Sequence, residues 1–179
     1  MKEKIQLFDY ANEILKGVEK GVLLTTKANG KVNTMSISWG TLGIQWSKPI
    51  FITFVRESRY TKELLDKNPE FTINIPLGEF DKKIISYCGS KSGRDIDKIK
   101  ELGLTLEDSE KIGVPGIKEL PLTLECKVVY KQAQDPNAIT NENIEKFYPS
   151  NVESDFPGNN KDFHTAYYGE IVNAYIIKS

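Results

Sequence analysis

The segment from Gly21 to Trp39 constrains the fold most, because it encodes a β-hairpin with an unusually polar second arm. Val22 to Thr26 is a short apolar and β-branched run, and Asn29-Gly30 is a dipeptide that favours a two-residue turn with positive φ. The second arm is mostly polar where a buried strand would be aliphatic, and it carries Asn33, Thr34, Met35, Ser36 and Ser38. Such an arm is either an ordinary half-exposed strand or a strand that faces a ligand.

Short apolar runs separated by turn residues fill the rest of the chain. The predicted helices are Leu7 to about Lys16, a helix that opens at Ser58 or Arg59 and stops before Pro69, Glu79 to Cys88, a short helix after the loop GSKSGRD, and Asn143 to Phe147. The predicted strands after the hairpin are Ile50 to Val55, Phe71 to Ile75, Pro121 to Lys131 and Ala166 to Lys178, and we expect Gly40 and Gly43 to frame a loop. This pattern predicts one mainly β domain over residues 1–179, an antiparallel barrel with short flanking helices. Residues 132–162 are rich in Asn, Asp and Pro, and we expect a surface excursion there.

Composition argues against several classes of function. With 24 basic and 25 acidic residues the net charge is −1, so no nucleic-acid partner is expected. One histidine and two cysteines without a CxxC spacing predict no metal site. No apolar run is long enough for a membrane span and the N-terminus has no apolar signal core, so we expect no membrane and a cytoplasmic protein. Cys88 and Cys126 are expected to be buried and inert, although Cys88 adjoins a candidate binding loop where a redox role is the alternative.

Two polar stretches are candidates for anion binding. Arg56 to Thr61 follows a predicted strand and opens a predicted helix, where free backbone N–H groups favour an anion. Ser90 to Lys98 combines serines, glycine and Arg94 ahead of another helix, which is the composition of an anion nest. The alternative for the second stretch is structural, with Ser92 or Asp95 as a helix N-cap and Arg94 as a surface charge.

Five segments then occur in a familiar order: GVLLTTKANGKVNTMSISWGTLG, RESRYTKELL, FTINIP, CGSKSGRDIDK and HTAYYGEIV. Together they resemble the flavin reductase-like FMN-binding split-barrel family, particularly its flavoredoxin-like branch. The resemblance implies a Greek-key split β-barrel that binds FMN non-covalently at or near the interface of a homodimer.

The resemblance also implies which residues bind the cofactor. The segment expected at the flavin ring and ribityl chain is Asn33, Thr34, Met35, Ser36 and Ser38. The segment expected at the phosphate is Arg56, Ser58, Arg59, Tyr60 and Thr61. A later loop contributes Ser90, Ser92 and Arg94 to the phosphate, the ring or a pyridine nucleotide. His164 matches a segment that approaches the flavin pocket in relatives, while a purely structural hydrogen-bonding role is the alternative.

Four aromatic residues are candidates for an apolar wall beside the flavin ring: Trp39, Trp46, Tyr167 and Tyr168. The alternative for each of them is a place in the hydrophobic core. The function expected from the resemblance is an FMN-binding oxidoreductase of the flavin reductase type. It would take electrons from NADH or NADPH and pass them to free flavin or a partner protein, without a catalytic acid, base or nucleophile from the chain. The alternatives are an FMN electron carrier without direct NAD(P)H activity and a flavin-binding module without turnover. Whether FMN is a prosthetic group or a substrate stays open.

Overall fold

Eight antiparallel strands form one sheet in the computed structural model, which describes residues 1–152 and 161–178. These strands are β1 (Lys2–Lys4), β2 (Val22–Ala28), β3 (Lys31–Ile37), β4 (Gly40–Gln45), β5 (Lys48–Arg56), β6 (Glu70–Ile75), β9 (Leu122–Ala133) and β10 (His164–Ile177). Two further short strands, β7 (Leu106–Glu107) and β8 (Gly116–Ile117), pair with each other.

The strand order β3-β2-β6-β9-β10-β5-β4, with β1 also paired to β10, determines where the sheet is open. Strands β3 and β4 are consecutive in the chain but lie at opposite ends of this order. The chain therefore crosses from one sheet edge to the other within Ser38 and Trp39.

Five short α-helices flank the sheet: α1 (Ala11–Lys20), α2 (Tyr60–Lys67), α3 (Lys83–Ser90), α4 (Lys98–Glu101) and α5 (Asn141–Phe147). Helix α1 packs on β4 and β6, α2 packs mainly on β2, and α3 and α4 cover β3. Within the described ranges, no helix is long and apolar enough to cross a membrane.

Most predicted elements are confirmed, including the hairpin, whose turn residues Asn29 and Gly30 have φ of 50° and 76°. The first predicted helix is displaced: a 3₁₀ turn covers Leu7–Tyr10, and the α-helix runs on to Lys20. It continues through Gly17 because this residue packs against β6, where an added Cβ would lie 2.5 Å from Cγ2 of Ile75. The helix predicted over residues 79–88 lies at Lys83–Ser90 instead. Part of the predicted surface excursion, residues 153–160, lies outside the described residues.

The loop predicted around Gly40 and Gly43 is wrong, because these residues belong to edge strand β4. Gly40 sits against the ring of Phe51, where a Cβ would come within 2.6 Å of Cζ. The β4–β5 turn uses Trp46 and Ser47 at φ of 52° and 57°, two residue types that rarely adopt positive φ. The sequence therefore contains no ordinary turn signal for this hairpin.

The main core lies between the sheet and α1 and contains aliphatic side chains together with Phe51, Phe71 and Tyr167. The first hairpin is buried on both faces at its centre, where Thr25 donates a hydrogen bond to the Thr34 hydroxyl at 3.0 Å. The polar second arm is therefore neither a plain exposed strand nor an aliphatic core strand.

Candidate functional site

Two adjoining pockets lie beside β3. The loop pocket, of about 270 Å³, lies between β3, the start of α2 and the segment 88–98. The edge pocket, of about 410 Å³, lies where the chain crosses from β3 to β4. The two pockets share Met35, Arg59 and Gly89, so they form one continuous depression.

The loop pocket is lined by hydroxyl and cationic side chains. Its hydroxyls are those of Ser58, Tyr60, Thr61 and Ser92, and its cations are Arg59, Lys91, Arg94 and Lys98, with Asp95 as the acidic residue of the lining. Tyr60 is flanked by two cations, with Lys31 Nζ 4.8 Å and Arg94 Cζ 5.7 Å from its ring centre. This combination favours an anionic group that accepts several hydrogen bonds.

Contacts with β3 hold the wall of the loop pocket in place. Lys31 donates a hydrogen bond to the carbonyl of Gly93 at 2.8 Å, and Asn33 donates to the Thr61 hydroxyl at 3.0 Å. Gly93 lies so close to Asn33 that an added Cβ would fall 1.9 Å from the amide oxygen. Gly89 is also close to β3, since an added Cβ would fall 2.5 Å from Oγ of Ser36. The pocket therefore depends on glycine at two positions of this wall.

Lys98 is a buried cation that the sequence analysis did not single out. Only 4% of it is exposed, and its ammonium donates to the carbonyls of Cys88 and Lys91 at 3.2 and 3.1 Å. Burial lowers the pKa of Lys98 to about 8. Burial likewise raises the pKa of the Cys88 thiol to about 11, so this thiol stays protonated at neutral pH. Both cysteines are free and buried, as predicted.

Arg56 lies in the edge pocket, separate from Ser58, Tyr60 and Thr61, which line the loop pocket. It is 7% exposed and donates to the carbonyl oxygens of Asp162 at 2.5 Å and Phe147 at 3.2 Å. Burial lowers the pKa of Arg56 from its usual range, although the guanidinium stays charged at neutral pH. Arg56 is thus a fixed positive charge in the wall of the edge pocket.

His164 is paired with Arg56 in the register of β10 and β5 and also lines the edge pocket. Its backbone N–H donates to the side-chain oxygen of Gln134 at 2.9 Å, and its Nδ1 lies 3.0 Å from the Tyr148 hydroxyl. Burial first, and then the charge of Arg56, lower the pKa of His164 to about 4. The imidazole is therefore neutral at pH 7.

Trp39 is the one predicted wall residue that the structure brings to the edge pocket. Its ring is perpendicular to Phe147 at 5.2 Å and tilted against His164 at 5.0 Å. Tyr167 is buried in the core, where its hydroxyl donates to Asp66 at 2.9 Å. Trp46 and Tyr168 instead both contact the ring of Tyr130, with ring centres 6.3 and 5.0 Å from it.

All but two of the predicted site residues line the two pockets. The exceptions are Thr34, whose hydroxyl bonds to Thr25 inside the hairpin, and Ser90, whose hydroxyl donates to the Tyr87 carbonyl at 3.3 Å. Their side chains are not brought to either pocket, and the cofactor contacts of the other residues stay predictions. The lining residues that the sequence analysis did not predict are Ile37, Phe54, Cys88, Gly89, Lys91, Gly93, Asp95, Lys98 and Phe147. Ile37 and the members of CGSKSGRDIDK lie in segments that the sequence analysis singles out, whereas Phe54 and Phe147 do not.

Comparison with known proteins gives consistent likenesses. A family model described as "Flavin reductase like domain" matches residues 17–179. Flavoredoxin from Methanosarcina acetivorans is 27% identical, with a TM-score of 0.62 over 88% of this chain and 68% of that chain. The FMN-binding domain of a flavin reductases-like enzyme from Shewanella baltica OS155 is 18% identical, with a TM-score of 0.66 over 98% of this chain and 77% of that chain. With the sheet order, these likenesses confirm the predicted split-barrel fold.

A curated relative gives less functional information. An uncharacterized protein of Archaeoglobus fulgidus is 35% identical over 99 residues, which is 55% of this chain and 55% of that protein. The match therefore spans little more than half the length of this relative.

Proposed function

The chain belongs to the flavin reductase-like family, and from this membership we propose that it binds FMN and moves electrons through it. One observation carries the proposal: two pockets of contrasting chemistry are continuous through Met35, Arg59 and Gly89. The loop pocket has cations and hydroxyls, and the edge pocket has aromatic rings beside polar groups. FMN has the same division, since a dianionic phosphate is linked by a polyhydroxylated chain to a flat ring system.

The donor set of the loop pocket fits the phosphate. A phosphate favours at least one arginine together with hydroxyl or amide donors. Ser58, Arg59, Thr61, Ser92 and Arg94 would hold it. Glycine at positions 89 and 93 keeps the pocket wall close to β3, where any larger residue would intrude. Lys98 would act indirectly, because its ammonium is bonded to the carbonyls that shape this wall.

The edge pocket would hold the ring system. Its volume of about 410 Å³ lies within the usual range of about 300–1,000 Å³ for cofactor and ligand sites. Trp39, Phe54 and Phe147 supply apolar surface, while Ser36 and Ser38 supply hydrogen bonds. When bound, FMN supplies the electron-transfer chemistry, whereas the protein supplies position, charge and access. Arg56 keeps a positive charge at the pocket wall.

We propose that the electron donor is NADH or NADPH and that the acceptor is free flavin or a partner protein. Purified protein should be loaded with FMN, desalted and mixed with each nucleotide without oxygen. Retention of about one FMN per chain and rapid bleaching of its visible absorption would support a reductase. A protein that neither retains FMN nor reduces it with any electron donor would contradict the proposal.

An electron carrier is the second candidate, because flavoredoxin from Methanosarcina acetivorans is 27% identical and shares the fold. A carrier would retain FMN and stay yellow with NADH and NADPH, but a ferredoxin-type donor would bleach it. A flavin-binding module without turnover would be bleached by neither.

We also propose that the chain is a single domain that forms a homodimer. A group of exposed apolar side chains lies near the β4–β5 turn and the middle of β9, where Ile44 is 70%, Trp46 56%, Val129 43% and Tyr130 42% exposed. A two-fold pairing would remove such a patch from water. Sedimentation analysis that finds a monomer with bound FMN would contradict the dimer.

A further inference from the structure

His164, which lines the edge pocket, is joined to Gln134 and Tyr148 by a chain of three hydrogen bonds. Each bond restricts where the next hydrogen can be. The first is the backbone N–H of His164, which lies 2.9 Å from the side-chain oxygen of Gln134. An amide NH₂ group cannot accept this hydrogen, so the oxygen of Gln134 must face His164.

The second bond places the hydrogen of the Tyr148 hydroxyl. This hydroxyl lies 2.9 Å from the same oxygen of Gln134. Two oxygens at this distance need a hydrogen between them, and the amide oxygen has none to give. Tyr148 therefore donates to Gln134 and uses its single hydrogen.

The third bond places the hydrogen of the imidazole. The Tyr148 hydroxyl also lies 3.0 Å from Nδ1 of His164, and it can only accept there because its hydrogen is already committed. Nδ1 must then carry the hydrogen. The positive charge of Arg56 and the burial of the ring both oppose a second proton. Nε2 is left with a free lone pair.

Nε2 belongs to a side chain that lines the edge pocket, and the described residues offer it no hydrogen-bond partner. We infer that His164 presents Nε2 to the edge pocket as a hydrogen-bond acceptor, held in this tautomer by Gln134 and Tyr148, and that this acceptor selects a ligand with an N–H group. The identity of the N–H group rests on the proposed function, in which the ligand is FMN. Oxidised flavin has one ring N–H, the imide N3–H of its pyrimidine-like edge. A site that provides a buried acceptor rejects analogues without the hydrogen, because the acceptor is then left unpaired.

The tautomer can be tested without any cofactor. His164 is the sole histidine of the chain, so a nitrogen NMR spectrum of ¹⁵N-histidine-labelled protein contains one imidazole. At neutral pH we expect a protonated Nδ1 and an unprotonated Nε2, whose resonance lies far downfield. Tyr148→Phe should shift the equilibrium toward the Nε2–H form, whereas Tyr130→Phe, on a different part of the sheet, should not. A wild-type spectrum with hydrogen on Nε2 would overturn the inference, whether or not Tyr148→Phe folds.

The ligand group is tested by titration with FMN and with N3-methyl FMN. Wild type should bind FMN about tenfold more tightly than the methylated analogue, as expected for one lost hydrogen bond. His164→Phe should lose this preference. Equal affinity of wild type for both flavins would overturn the assignment of N3–H. Binding of neither flavin, together with the expected NMR spectrum, would instead overturn the proposed function and leave the tautomer established.

Discussion

The lowered pKa of His164 predicts a specific loss of stability in acid. The imidazole has a pKa of about 4 in the folded chain against 6.5 for an ordinary histidine. Burial is the main cause of the lowered pKa and the charge of Arg56 is the second. Asp162 opposes them, and Arg59 adds a smaller lowering. The unfolded chain therefore takes up a proton at higher pH than the folded chain does. The stabilisation is complete above the unfolded pKa and is lost as the pH falls through the folded one.

The size of this loss follows from the two pKa values. One pKa unit corresponds to about 1.4 kcal/mol, so wild type should lose about 2 kcal/mol by pH 5 and about 3 kcal/mol by pH 4 through His164 alone. Other groups also titrate in this range, and a variant without the imidazole separates their contribution. His164→Gln keeps a polar side chain that does not titrate.

The assay is urea unfolding of both proteins, followed by far-UV circular dichroism at a series of pH values. The free energy of unfolding of wild type should fall relative to that of His164→Gln by the amounts given, with a similar urea dependence in both. Parallel curves for the two proteins from neutral pH to about pH 5 would refute the reasoning. They would mean that water or local opening reaches the imidazole in the folded state.

Three further predictions concern the loop pocket. Lys98→Met tests stability at alkaline pH. Because burial lowers the pKa of Lys98 to about 8, the unfolded chain binds this proton more tightly than the folded chain does. As the pH rises above about 8, the free energy of unfolding of wild type should therefore increase relative to that of the variant, by about 2 kcal/mol near pH 9.5 in urea unfolding. Gly93→Ala should lower the free energy of unfolding by about 1–3 kcal/mol and weaken FMN binding, because the new Cβ would collide with Asn33. Gly43→Ala is the control in the same unfolding and titration experiments, because a Cβ at position 43 would enter open space. Arg59→Ala should weaken FMN at least about tenfold more than riboflavin, which lacks the phosphate, and equal losses in fluorescence titrations would contradict the phosphate assignment.

The sequence predicts best what local chemistry decides. Asn29-Gly30 specifies its turn through backbone preference alone, so the first hairpin is correctly placed. The second hairpin escapes prediction because Trp46 and Ser47 adopt positive φ only in the context of the folded sheet. The pattern of residues 79–88 is amphipathic, but its first turn is not helical, and the helix runs instead from Lys83 to Ser90.

The site likewise contains residues that a local sequence pattern predicts and residues whose position depends on tertiary packing. The sequence predicts Ser58 and Thr61 as site residues because they follow a strand and open a helix, a relation that is visible along the chain. The sequence does not single out Lys98, because a lysine in a charged segment is typical of a solvent-exposed helix. Its burial depends on how that helix packs on β3. The pairing of His164 with Arg56 depends on the register of β10 against β5, and no local pattern specifies that register.

The opening between β3 and β4 explains why the site lies where it does. A closed barrel would pair these two strands, and their backbone groups would then be used in the sheet. Here the chain leaves β3 at Ser38 and enters β4 at Gly40 on the opposite edge, and side chains from α5 and from β10 border the opening. The edge pocket is thus a consequence of the strand order. Three residues of β3, Met35, Ser36 and Ile37, line it because β3 is the last paired strand on that side. Helices α3 and α4 cover the same strand farther along and shape the loop pocket beside it, so one edge strand supports both halves of the proposed cofactor site.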